Sequence, residues 1–278
     1  MKIGAWFTLW YAFDRHCHSP LPPPFALARL VDGATGERNI FKRRGVPSAP
    51  PIGQVQRLPK RLRFVVDVSS SMGRFNGADR RLDRTAACIV MVMEAFGSLQ
   101  HKYDVSIVGH SGESFCIPFV GGGAASVKVE APGAHSSGAG HKPMPRNRKE
   151  RLEVIRHIYS HANFAMSGDH TLAAAMSAVE QVTKEDADDY FVFLLSDANL
   201  SQYGVSAQNM AAALLGDQRV NSYAIFIAGE EEAEAIRRAM PAGHAHVCLD
   251  TAALPAIFKE IFAHSLLKED AGPPRSRY

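Results

Sequence analysis

Short runs of consecutive apolar residues recur along the last four-fifths of the chain, separated by stretches in which apolar residues return every three or four positions. The first pattern is typical of strands buried on both faces, and the second of helices. Strands are predicted over residues 62–66, 103–109, 113–119, 190–196, 222–228 and 246–250, with Pro118 marking the third as an edge strand. Helices are predicted over residues 84–96, 148–159, 171–184, 230–239 and 254–267.

Strands that alternate with helices indicate βαβ units. We therefore expect an α/β fold, doubly wound, with a mostly parallel central sheet and helices on both faces. In such sheets, ligands bind beyond the carboxyl ends of the strands, near the point where the strand order reverses. Functional side chains are expected directly after strands.

The two ends of the chain and one internal segment depart from this pattern. Eight of the sixteen prolines fall in residues 1–60, which hold nine basic and three acidic residues against 22 and 25 in the remainder. We expect residues 1–25 to be an unassigned, disordered segment and residues 26–60 to be a basic, Pro-rich, irregular lead-in. The domain itself is predicted over 61–267, with a Gly/Ser/Pro-rich insertion at 120–147 and a flexible tail at 268–278.

Composition excludes several classes of protein. A formal net charge of +3 over 278 residues argues against a protein that coats nucleic acid. The chain has no run of eighteen apolar residues, so no membrane span is expected. Its four cysteines are far apart and form no C-x-x-C pair, which favours a reduced, intracellular chain over a disulfide framework or a zinc site.

Five oxygen-bearing side chains follow the predicted strands or open a predicted helix. Asp67, Ser69 and Ser71 come after the first strand, Asp197 follows the strand at 190–196, and Thr171 begins a helix. Carboxylates and hydroxyls are ligands that suit Mg²⁺, which also keeps several waters. The sequence therefore predicts a Mg²⁺ site here, with Mn²⁺ or Ca²⁺ as alternatives.

The pattern D-x-S-x-S, followed by a later Thr and then an Asp, resembles the metal-ion-dependent adhesion site of von Willebrand factor A domains. All five of its positions are filled, although Ser70 stands where many of these domains have Gly. The resemblance implies that the serines and the threonine bind the metal directly or through water, and that the aspartates act largely through water. It also implies that a partner's carboxylate completes the shell.

A closer resemblance covers roughly residues 26–268. It is carried by the runs LVDG at 30–33, FKRR at 41–44, RFNG at 74–77, MVMEAF at 91–96, VGHSG at 108–112, SGDHT at 167–171 and LSDAN at 195–199. These runs are similar to the C-terminal region of the protein 8 family of von Willebrand factor A domain-containing proteins, which are mitochondrial and carry AAA+ ATPase modules. The resemblance implies a mitochondrial location and an AAA+ module as partner. This chain lacks ATPase motifs, so we do not expect it to be an enzyme.

Three functions follow as hypotheses. The first is a module in which Mg²⁺ captures a carboxylate of a protein partner. The second is a metal-dependent hydrolase that uses the same ion to activate water, with Asp169 or His170 as general base. The third is a folded domain that binds neither ion nor partner.

Overall fold

The computed structural model describes residues 56, 58–121, 143–166, 168–200, 203–227 and 230–271, without the side chains of 230 and 263–271. The expectations for residues 1–55, for most of the insertion at 120–147 and for the end of the tail lie outside these residues. The last helix continues to Ala271, into the range predicted as the tail.

The described residues contain a six-stranded sheet in the order β3-β2-β1-β4-β5-β6. The strands are β1 Lys60–Asp67, β2 Tyr103–His110, β3 Ile117–Val120, β4 Tyr190–Ser196, β5 Val220–Phe226 and β6 Ala245–Val247. Five strands are parallel and β3 is antiparallel to β2 at one edge, where Pro118 lies. The predicted α/β fold with a mostly parallel sheet is confirmed.

Eight helices accompany the sheet in the described part of the chain. They are α1 Ser70–Arg74, α2 Asn76–Asp79, α3 Arg81–Phe96, α4 Arg148–Phe164, α5 Thr171–Val182, α6 Ala207–Leu214, α7 Glu230–Ala239 and α8 Leu254–Ala271. The sequence pattern predicts five of them and misses α1, α2 and α6, which are too short to show a helical period. None of the helices in the described residues is long and apolar enough to span a membrane.

Alternate residues of β1 pack on opposite faces of the sheet. Val65 belongs to a core cluster that includes Ala178 of α5 and Met210 of α6. Phe64 points to the other face, where its ring stacks on that of Phe193 at a centroid distance of 4.9 Å. There it meets Phe258 of α8 edge-on. Helices therefore cover both faces, as the uninterrupted apolar strands predict.

The strand order reverses between β1 and β4, because the chain leaves β1 for β2 and β3 on one side and later adds β4 on the other. A crevice beyond the carboxyl ends of β1 and β4 is the usual ligand site of such a sheet. Asp67 ends β1, Asp197 directly follows β4, and His110 ends β2 in register with Asp67.

Candidate metal centre

The side chain of Asp67 stabilises the conformation of the loop after β1. Its Oδ1 accepts a hydrogen bond of 2.8 Å from the backbone nitrogen of Ser69, so the chain turns sharply after the strand. Helix α1 begins at Ser70, and Ser71 therefore lies in its first turn. The D-x-S-x-S spacing thus brings one carboxylate and two hydroxyls to the same edge of the sheet.

A chain of hydrogen bonds joins this loop to β4. Ser71 Oγ donates to Asp197 Oδ2 at 2.8 Å, and the hydroxyls of Ser69 and Ser71 are 2.9 Å apart. Because Ser71 has one proton and gives it to Asp197, Ser69 is the donor between the two hydroxyls. Residues 126 positions apart in sequence therefore meet directly. All of these side chains are buried.

Thr171 approaches from the start of α5. Asp169 Oδ1 accepts hydrogen bonds from the backbone nitrogen of Thr171, at 3.0 Å, and from its hydroxyl. Asp169 lies close enough to Asp67 for its charge to raise the pKa of that carboxyl. Asp169 therefore holds Thr171 and lies near Asp67.

Two histidines border the cluster. His170 Nδ1 lies 2.8 Å from the carbonyl oxygen of Ser111, and this contact holds the loop before α5 against the end of β2. His110 is fully buried, with its Nδ1 3.7 Å from Asp169 Oδ1. Neither ring nitrogen of His110 has a hydrogen-bond partner among the described residues. Burial lowers the pKa of His110 to about 4, so its ring is neutral at physiological pH.

Negative charge is crowded at this edge. Burial, and next the neighbouring carboxylate of Asp197, raise the pKa of Asp67 to about 8, although the hydrogen bond from Ser69 opposes the shift. The metal-free protein therefore holds Asp67 protonated at neutral pH. A cation at this position would compensate the charge and favour the ionised form.

Arg81 is a residue of this site that the sequence pattern does not reveal. Its Nη1 donates to Asp197 Oδ2 at 2.6 Å, from the first turn of α3. The two residues are 116 positions apart, and no local pattern predicts that they pair. His110 could have been found, since it is a polar residue that ends a buried strand directly beside Asp67.

The donor set fits a hard divalent cation. Two carboxylates and three hydroxyls, all buried at one sheet edge, offer only oxygen. In the part of the chain that the structure describes, no group of three or more His, Cys, Asp or Glu side chains is arranged to hold a metal. Any site here therefore depends on the hydroxyls of Ser69, Ser71 and Thr171.

Comparison with known proteins shows extensive similarity to a curated sequence. The chain is 42% identical over 241 residues to von Willebrand factor A domain-containing protein 8 of Mus musculus, which covers 86% of this chain. The chain spans only 12% of the length of that relative. No family model matches the chain.

Similar solved structures are more distant. They include the manganese-loaded TRAP protein of Plasmodium vivax, at 16% identity, covering 74% of this chain and 75% of that one with a TM-score of 0.46. An aerotolerance-related membrane protein of Bacteroides fragilis is 12% identical and covers 73% of this chain and 98% of its own, with a TM-score of 0.49.

Proposed function

The chain belongs to the family of von Willebrand factor A domains, and from this premise we propose that it is a metal-ion-dependent protein-interaction module. The observation that carries the proposal is the hydrogen-bonded cluster of Asp67, Ser69, Ser71 and Asp197 beyond β1 and β4. Thr171 is held nearby by Asp169, whose charge acts on Asp67. These are the residue types, in the order along the chain, that the adhesion-type site requires.

In this proposal the five residues hold Mg²⁺, or Mn²⁺ or Ca²⁺ in its place. The hydroxyls of Ser69, Ser71 and Thr171 offer neutral oxygens, while Asp67 and Asp197 orient them and supply charge, largely through water. When bound, the ion supplies an electrophilic position for an incoming carboxylate oxygen. Because the direct ligands of the ion are neutral hydroxyls and water, the ion itself keeps its positive charge and attracts an Asp or Glu side chain of a protein partner.

The partner is proposed to be an AAA+ ATPase module, and the location to be mitochondrial. Both follow from the similarity to von Willebrand factor A domain-containing protein 8, of which this chain matches 12%. Docking of the domain on such a module through a carboxylate would make the contact depend on the metal.

We further propose that the module binds without hydrolysing. The two local candidates for a general base already have partners, since Asp169 accepts both hydrogen bonds from Thr171 and His170 Nδ1 contacts the Ser111 carbonyl. In these positions both side chains orient the loop. Assays with p-nitrophenyl phosphate and p-nitrophenyl acetate test this point, and Mg²⁺-dependent turnover that His170→Ala abolishes would establish a hydrolase instead.

Calorimetric titration with Mg²⁺ tests the metal site. We expect wild type to bind, Asp67→Ala to lose binding with an unchanged far-UV circular dichroism spectrum, and Asp186→Ala, an exposed aspartate far along the chain, to bind like wild type. Equal affinity of wild type and Asp67→Ala would overturn the proposal.

Acetate serves as a probe for the carboxylate. We expect it to shift the amide NMR signals of Ser69 and Ser71 in Mg²⁺ and to leave them unchanged in EDTA. Shifts that are equal in the two conditions would contradict capture of a carboxylate by the metal.

A further inference from the structure

The guanidinium of Arg81 lies between two acidic side chains. On one side its Nη1 donates to Asp197 Oδ2 at 2.6 Å. On the other, Nε and Nη2 donate to Asp79 Oδ2 at 2.8 and 2.5 Å. The side chain is 12% exposed, and the guanidinium carbon lies 4.9 Å from the centroid of the Phe75 ring. Arg81 is therefore held at three places, only one of which is in the metal centre.

The contact with Asp197 conflicts with a bound cation. Asp197 Oδ2 already accepts hydrogen bonds from both Ser71 and Arg81, so the charge of this carboxylate is compensated within the protein. A divalent cation that uses Ser71 and Asp197 would stand beside the guanidinium and be repelled by it.

We propose that Arg81 is the counter-cation of Asp197 in the metal-free protein, and that Mg²⁺ binding displaces it from Asp197. This inference rests on the proposed function, because it assumes that the ion binds at this cluster. It gives Arg81 a role as a built-in competitor that sets the metal affinity of the module.

Asp79 makes the displacement feasible. When Nη1 leaves Asp197, the bonds from Nε and Nη2 to Asp79 and the contact with Phe75 remain. The guanidinium then does not have to be buried without a partner, which would be strongly unfavourable. Metal binding therefore breaks the ion pair of Arg81 with Asp197 and leaves its ion pair with Asp79 intact.

The decisive experiment compares Arg81→Gln with Arg84→Gln in the full chain. Arg84 lies one turn further along α3 and donates to the carbonyl oxygens of Leu249 and Asp79, so its replacement is the matched control. We expect Arg81→Gln to bind Mg²⁺ about tenfold more tightly than wild type in calorimetry, since a competing charge is removed. Arg84→Gln should keep the wild-type affinity.

Thermal unfolding gives a second readout. In EDTA, Arg81→Gln should melt about 5 °C below wild type, because Asp197 loses its buried partner. Saturating Mg²⁺ should close this difference. The control Arg84→Gln should gain as much melting temperature from Mg²⁺ as wild type does, so that its difference from wild type is the same in EDTA and in Mg²⁺.

Asp79→Asn should shift the Mg²⁺ affinity in the opposite direction, and it tests the proposal even if Arg81→Gln fails to fold. Without the carboxylate of Asp79 as its second partner, Arg81 should remain paired with Asp197. Mg²⁺ should then bind several-fold more weakly than to wild type. An unchanged or tighter affinity in Asp79→Asn would overturn the proposal.

The outcomes separate this inference from the proposed function. If wild type binds Mg²⁺ and Arg81→Gln binds it no more tightly, Arg81 is not a competitor and the metal module stands. If only Arg81→Gln binds, the competition is supported and the native chain is not a Mg²⁺ module. If neither wild type nor variant binds Mg²⁺, both proposals are overturned.

Discussion

Asp67 is buried near two other carboxylates, those of Asp169 and Asp197, and this crowding gives the metal-free protein a specific dependence on pH. The pKa of Asp67 rises from 3.8 to about 8 on folding. Between these values the unfolded chain has released the proton and the folded chain still holds it. The contribution of Asp67 to the free energy of unfolding is therefore fully present below pH 4 and is lost as the pH rises to about 8.

Asp67→Asn should accordingly stabilise the metal-free protein while it abolishes Mg²⁺ binding. The amide keeps an oxygen for the Ser69 backbone nitrogen and carries no charge at any pH. In EDTA at pH 7.5 we expect the free energy of unfolding of the variant, from urea denaturation, to exceed that of wild type by several kcal/mol, because one pKa unit corresponds to about 1.4 kcal/mol. The difference should shrink towards pH 4. Asp186→Asn is the control, and an Asp67→Asn variant less stable than wild type at pH 7.5 would contradict the prediction.

His110 should produce the opposite slope at acid pH. Its pKa falls from 6.5 to about 4 on folding, because the buried ring cannot easily be charged. The unfolded chain therefore takes up a proton first, and the stability that His110 contributes above pH 6.5 is lost as the pH falls towards 4.

Replacement of His110 by Phe in the Asp67→Asn background should flatten this slope between pH 6.5 and 4.5. The background removes the opposing effect of Asp67, and urea denaturation in EDTA measures the difference. The exposed His157→Phe serves as control and should leave the slope as it is. A slope that survives in the His110→Phe variant would show that another group titrates.

At the scale of elements, the loop before α5 depends on Gly168. Its φ of +143° is a backbone conformation that side chains rarely adopt, and an added Cβ would lie 2.9 Å from Gly112 Cα. The close approach of these two glycines places Asp169, and with it Thr171, against the end of β2. The site is therefore assembled by backbone packing as well as by its side chains.

Gly168→Ala should lower stability by about 1–3 kcal/mol and weaken Mg²⁺ binding, because the loop that carries Thr171 must shift. Two controls separate the effect of backbone strain from that of the steric clash. Gly204, which Gly204→Ala replaces, has a positive φ of 67° and open space around it. Gly77, which Gly77→Ala replaces, has open space around it and no positive φ. Neither control should change the Mg²⁺ affinity measured by calorimetry, and an unchanged affinity in Gly168→Ala would show that the loop tolerates the shift.

The elements differ in how far the sequence predicts them. The strands β1, β2, β4 and β5 are found within about two residues because apolar runs this long require burial on both faces. The strand predicted over 113–119 is wrong in its first half, where the chain forms a turn before β3, with Ser111 N donating to the Ser114 carbonyl. The predicted start of α3 is three residues late, since Leu82 is the one apolar residue among the charged residues of its first turn.

The candidate site can likewise be predicted only in part from the sequence. Its position follows from topology, because residues that follow parallel strands share one edge, and the D-x-S-x-S spacing follows from a local turn. The pairing of Arg81 with Asp197 and the burial of His110 beside Asp169 depend on contacts between distant parts of the chain. No periodicity in the sequence encodes such contacts.

At the scale of the molecule, several contacts that stabilise the fold lie away from the site. Beside the amino ends of β1 and β4, Lys60 pairs with Asp189 and Arg61 with Glu185. The aromatic layer of Phe64, Phe193 and Phe258 lies between the sheet and α8. Substitutions at the carboxyl edge can therefore change metal binding while these contacts keep the domain folded.

This arrangement predicts that residues 57–278 fold and bind Mg²⁺ without residues 1–56. The sheet described here takes no strand from before Lys60, whose backbone nitrogen donates to the Lys102 carbonyl and fixes the start of β1. We expect the shortened chain to melt within about 3 °C of the full chain in EDTA and to bind Mg²⁺ with the same affinity. A chain that begins at residue 64 is the control. It lacks half of β1, which lies between β2 and β4 in the middle of the sheet, and should fail to fold. If the chain from residue 57 also melts far below the full chain, residues 1–56 contribute to the stability of the domain.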